Sequence, residues 1–367
     1  MRIGWRGVVG VGSAIGATVF WAIGLAVLQR LSEPVGPDAY AENNTYWVRD
    51  LRFMAVIVVV LGLLLAFGGA RVSVGPILAL GVAWIAADIA LDRAGPAGAA
   101  TAVILAVVGC VAVLTVALSL ARRAQSGDDR GAGPGDDRGV GPGDDRRVAG
   151  RDRVVLLVVA SVGAALAPLA AAIESPTDTE SALTPSAVIV GVLLVATTVG
   201  AALALVPAGS TGYRIGAGTL AALGGAGVIA VRQFAPPGQL VPMMLLATVL
   251  IGGVSLLTSA SSGRRPRWRR QVPVFLAVLV GYPVLTMFSL LLTVFGVPVA
   301  AWFTALAGSA EVNAADSDTL YALIGLATGL MVGGLLTLAA RDAPPAGGDS
   351  ATGAAPVAGG VSAAGAA

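Results

Sequence analysis

RRAQSGDDRGAGPGDDRGVGPGDDRRVAGRDR, residues 122–153, decides the fold, because it is the one long stretch of this chain with no place in a lipid bilayer. The sequence on either side is overwhelmingly apolar. Hydrophobic residues make up 56% of the chain and charged residues 12%, with mean hydropathy +0.85. A soluble domain carries about 25% charged residues, so a chain this apolar would expose large sticky patches in water. The composition predicts an all-α polytopic bundle whose main partner is the lipid bilayer.

The stretch itself is a tandem octad, GDDRGAGP, GDDRGVGP and GDDRRVAG over 127–150. Paired aspartates invite a calcium reading. Each pair is followed by its own Arg, however, and no bidentate Glu accompanies it. Gly and Pro oppose regular structure, so 122–153 is expected to be a disordered cytoplasmic linker. It separates a membrane unit at 1–121 from a second at 154–340. The Ala/Gly/Pro-rich tail at 341–367 lacks the apolar surface to offset its ordering entropy.

A spanning helix needs about 20 predominantly apolar residues, and ten stretches qualify, at roughly 8–29, 52–70, 74–91, 97–120, 154–173, 186–206, 215–231, 240–260, 272–295 and 319–340. The first is too long for a signal peptide and is read as a retained helix. With the N-terminus inside, Arg2, Arg6, Arg71, the linker arginines, Arg214, the run RRPRWRR (264–270) and Arg341 all fall on the inner side. The outer loops then hold Arg30, Arg49, Arg52, Arg93 and Arg232 and most acids outside the linker. The positive-inside rule thus predicts ten spans with both termini cytoplasmic. All basic residues are Arg, with no Lys and no His. With the Ala, Gly, Val and Pro bias, that is what a GC-rich genome encodes, and it points to a bacterial plasma membrane.

Loop character recurs every four helices. An acidic outer loop, a short inner turn, a Gly/Pro outer turn and an Arg-rich inner loop appear twice and begin a third time, which suggests a 4+4+2 parallel repeat.

Few residues within the spans carry chemistry. Asp88 is the one acid clearly inside a span, with Asp92 a turn later on the same face. An unpaired Asp at mid-bilayer costs roughly 2.5–3.5 kcal/mol. One reading makes Asp88 a proton- or cation-coupling carboxylate paired with Arg232. The other leaves it in the headgroup region, hydrated or paired with Arg93. Pro168 and Pro283 break the fifth and ninth spans, and paired breaks point to a transporter site. The alternative is that both merely shape packing.

Gly325, Gly329 and Gly333 recur at four-residue spacing in the tenth span, and Gly12 and Gly16 form a shorter version in the first. Both are expected to pack helices against each other within the chain. Arg264, Arg265, Arg267, Arg269 and Arg270 read as a topology signal that attracts anionic headgroups, not nucleic acid. The apolar segment 296–308 is too short to span and suggests a re-entrant or interfacial helix, or an extension of the ninth span. With no His or Lys to activate a nucleophile, and one Cys, Cys110, no catalytic, metal or cofactor site is implied. Two functions follow. The first is a carrier whose path runs near Asp88 and the broken helices. The ten-helix count and the possible repeat favour the carrier, with its path between the third, fifth, seventh and ninth spans, and this is the reading taken from the sequence. The alternative is a non-transporting envelope scaffold or accessory subunit, favoured by the scarcity of polar residues in the spans.

Overall fold

The computed structural model describes residues 4–32, 46–68, 73–129, 142–173, 181–206, 211–235, 238–260, 268–296, 299–309 and 320–341. Among these the chain is helical throughout, without strands. The helices are α1 (Trp5–Ser32), α2 (Trp47–Phe67), α3 (Val74–Ala94), α4 (Ala99–Asp129), α5 (Pro142–Ala172), α6 (Leu183–Ala204), α7 (Thr211–Val231), α8 (Leu240–Ala260), α9 (Trp268–Leu291), α10 (Val299–Ala307) and α11 (Leu320–Arg341). Nine of them are long and apolar enough to cross a membrane among the described residues. In α9 the segment that qualifies as apolar, Leu276–Leu291, is shorter. The all-α polytopic bundle is as the composition demands.

Helices α2 and α5 are the most buried and form the centre, whereas α3, α4 and α7 lie at the periphery. α1 packs against α2 and α4, and α2 against α3. α5 packs against α6 and α8, and α6 against α7. α1 and α2 both meet α6, and α2 also meets α5, so the two sets of four join through these inner helices. α11 lies along α5, and α9 bridges α8 and α11.

Small residues set these approaches. A Cβ on Gly329 would meet the Cα of Val162, one on Gly325 the side chain of Leu166, and one on Gly333 the Cα of Val158 at 3.3 Å. The glycine stripe of α11 therefore seats on Val158, Val162 and Leu166, residues that share one face of α5. In α1 the sequence reading chose the wrong glycine. Gly12 faces open space, and Gly16 touches Leu193 of α6 at 3.3 Å. The close crossing is Gly10 against Gly62 of α2, where a Cβ on either would strike the other's carbonyl oxygen.

The linker is shorter than expected. α4 continues to Asp129 and α5 begins at Pro142, which leaves 130–141 outside the described residues. Pro142 suits the first position of a helix, where its missing N–H costs nothing. The octad thus holds a helix start that counting Gly and Pro overlooked. Near this end Arg6 donates to Asp152 at 3.0 and 3.1 Å and to the Leu65 carbonyl at 3.3 Å, tying α1, α2 and α5 together. The tail 342–367 and the inner arginines Arg264, Arg265 and Arg267 lie outside the described residues. For Arg269 and Arg270 only the backbone, helical in α9, is described.

Candidate functional site

At the end of the bundle opposite Arg6, the first two turns of α2 carry Tyr46, Trp47, Arg49, Asp50 and Arg52 into the interior. The sequence reading placed Arg49 and Arg52 in an outer loop. The helix starts at Trp47, before the apolar run, and both arginines are buried, Arg52 at 0% exposure. Spaced by three, they share one face. Asp88 and Asp92, spaced by four, share a face of antiparallel α3 at about the same depth.

The two pairs interlock. Arg52 clamps Asp88 in a bidentate bond, Nε to Oδ1 at 3.0 Å and Nη2 to Oδ2 at 2.8 Å, and Nη2 also reaches Asp92 at 3.2 Å. Arg49 donates to Asp92 from Nε at 2.6 Å and to the Ser309 hydroxyl. α1 completes the set. The Trp21 indole N–H donates to Asp88 at 2.6 Å, and Gln29 accepts from Arg52.

The backbone of α1 is shaped for this. A π-helical turn, Gly24–Leu28, directly precedes Gln29. A Cβ on Gly24 would lie 2.8 Å from the Arg52 Cγ, so glycine gives the arginine stem its passage. The Ala26 carbonyl in the π turn accepts from the Gly98 N–H at 2.9 Å. Trp21 stacks edge-on to Trp84 at 5.3 Å, which covers Asp88 from the bundle side.

The same turn of α2 reaches the C-terminal helices. Asp50 accepts from the Ala322 N–H of α11 at 2.9 Å, Arg49 holds Ser309 just after α10, and Phe53 meets Phe303 of α10 at 4.9 Å. Arg49 also lies over the Tyr46 ring, 4.3 Å from its centroid.

Taking such charges out of water is expensive, and mutual attraction offsets that only when the geometry is good and the remaining hydrogen-bonding groups are satisfied. The geometry of the Arg–Asp contacts meets the first condition, whereas the buried indole N–H groups of Trp47 and Trp84 at the same site lack a hydrogen-bond partner among the described residues. The Asp88 and Asp92 carboxylates join α3 to α1 and α2. Among the described residues, no group of three His, Cys, Asp or Glu is arranged to hold a metal ion.

The remaining predicted residues lie elsewhere. Asp88 is not paired with Arg232 or with Arg93. Arg232 donates to the Ala171 and Ile173 carbonyls, a cation at the C-terminal end of α5. A single hydrogen bond links the neighbourhoods of Pro168 and Pro283. The Tyr282 hydroxyl, beside Pro283, donates at 3.1 Å to the carbonyl of Ala165, next to the Ala164 carbonyl that Pro168 frees. Around it α5 is closely packed, with Ala164, Ala165, Ala167, Ala170 and Ala171 all fully buried. The five residues expected to form one site therefore divide among three places: the α2–α3 cluster, the end of α5, and the α5–α9 crossing.

Sequence reasoning missed Arg49, Arg52, Gln29 and Trp21. The signal was available in the charge spacing, two bases on one helix face opposite two acids on the next. No protein-family model matches this chain, and no curated protein or solved structure matches it.

Proposed function

We propose that this chain is a non-transporting membrane protein of a bacterial envelope, a scaffold or the partner subunit of a membrane complex, with both termini cytoplasmic. One observation carries the reading. The buried Arg49, Arg52, Asp88 and Asp92 are held in one network at one end of the bundle, while the central helix α5 is packed through alanine. A carrier lines its path with polar groups that a substrate or ion can engage. The peripheral places of α3 and α7 also support the reading, since both were expected to line that path. No catalytic chemistry, cofactor or nucleic-acid contact belongs to it. Lipid is the constant partner, and the run Arg264–Arg270 draws anionic headgroups at about 1 kcal/mol per Arg near the surface.

Cysteine accessibility tests this. In a Cys110→Ala background, Ser161→Cys and Thr198→Cys place thiols in the buried middle of α5 and α6 with little change in volume. Neither should react with a membrane-impermeant maleimide from either side. In intact cells Gln233→Cys should react and Thr211→Cys should not, as the proposed orientation requires. Reaction of the Ser161 or Thr198 variant would reveal a water path and return the chain to the carrier class. That second reading draws on the crossing at Tyr282, where two proline-broken helices meet.

A further inference from the structure

α10 is nine residues long, about 13 Å, against the roughly 30 Å of a hydrocarbon core, so it cannot cross. Its level is fixed by its contacts. Phe303 packs on Phe53, and Ser309, just past its end, is held by Arg49, so α10 lies at the polar-cluster end of the bundle. Thr304 and Ala307 face inward. Trp302 and Leu306 face out, at 56% and 53% exposure, and Phe295, in the π-helical turn Leu292–Gly296 before α10, is 79% exposed. These three continue a surface already turned to lipid. Val284, Phe288 and Leu292 are exposed at four-residue spacing along α9, and Phe295 follows three residues on. Arg93 marks the other border. It is exposed at the end of α3, and its side chain lies beside Gly308, where α10 ends in a left-handed turn. An aromatic and aliphatic face rimmed by an arginine is the pattern of a helix seated at the headgroup boundary.

We propose that Phe295, Trp302 and Leu306 form a lipid-docking face and that α10 is an interfacial helix, lying in the leaflet at the polar-cluster end of the bundle. Its occupant is lipid, through continuity with the exposed belt of α9. In a Cys110→Ala background, Trp302→Cys and Leu306→Cys would each carry a nitroxide, with the full chain in phosphatidylcholine vesicles. Both sites are exposed, so the fold does not depend on them, and either label suffices. The expected result is more frequent collision with oxygen than with an aqueous nickel complex, at a depth about 5–10 Å below the phosphates. A label near the bilayer centre would make the segment re-entrant and overturn the proposal. So would a label open to the nickel complex, or one shielded from both reagents as under a protein partner or second copy.

Discussion

Removing the Arg52 guanidinium leaves Asp88 and Asp92 buried without their shared cation. Breaking a buried pair by deleting one partner costs about 3–5 kcal/mol. Arg52→Leu should therefore lower the thermal midpoint sharply in detergent, and Arg52→Lys should rescue little, because an ammonium cannot reproduce the bidentate fork. Arg52→Leu combined with Asp88→Leu should be markedly less damaging than the sum of the two single changes. An additive result in that double-mutant cycle would mean the contact contributes nothing beyond its parts. Asp88→Asn keeps the shape and removes the charge, so its loss should show in stability, not in any transport assay. Asp88 and Asp92 were legible in the sequence as a shared face within an apolar run. Arg49 and Arg52 were not, because charge counting assigns any arginine near a span boundary to the loop. Trp47 and Tyr46 explain the difference. They extend the helix outward, which places the arginines in its first turns and inside the bundle.

Among the elements, α11 shows most directly how sequence spacing becomes packing. Its three glycines were visible as a stripe, but their partner face on α5 was not, since nothing in a run of valine and leucine marks which residues a distant helix will touch. Gly329→Leu should unseat α11, because its first added carbon already meets the backbone of Val162. Gly12→Leu should change the unfolding free energy by no more than about 0.5 kcal/mol, as a surface change does. Equal losses for the two would show that the stripe does not position the helix. The Arg6–Asp152 bridge, with both side chains about a quarter exposed, joins α1 to α5 with far less force. Asp152→Asn should cost at most about 1 kcal/mol. Hydropathy gave ten spans, and among the described residues nine are long and apolar enough to cross, the apolar part of α9 being shorter. The early start of α5 at Pro142 was not legible, because a helix whose first turns are polar leaves no mark in an apolar window.

At the scale of the whole molecule, the pairing of α1 with α2 and α4 recurs in α5 with α6 and α8, and α2 with α3 in α6 with α7. The correspondence is partial, because α7 also packs against α8 while α3 and α4 share no comparable contact among the described residues. The chemistry of the two units also differs. The first holds the Arg–Asp network, and in the second Arg232 donates to helix carbonyls. The seating of α11 on α5 also has a consequence in time. About 150 residues separate the end of α5 from the start of α11, and at ~5–20 residues per second that is a delay of roughly 7–30 seconds during synthesis. Through that interval one whole side of the most buried helix has no permanent neighbour. Arg52, by contrast, meets Asp88 a few seconds after it emerges. A ribosome that stops before Leu320 therefore releases a chain in which Arg52 already holds Asp88, but which lacks both the Ala322 N–H that Asp50 accepts and the glycine face that covers Val158, Val162 and Leu166.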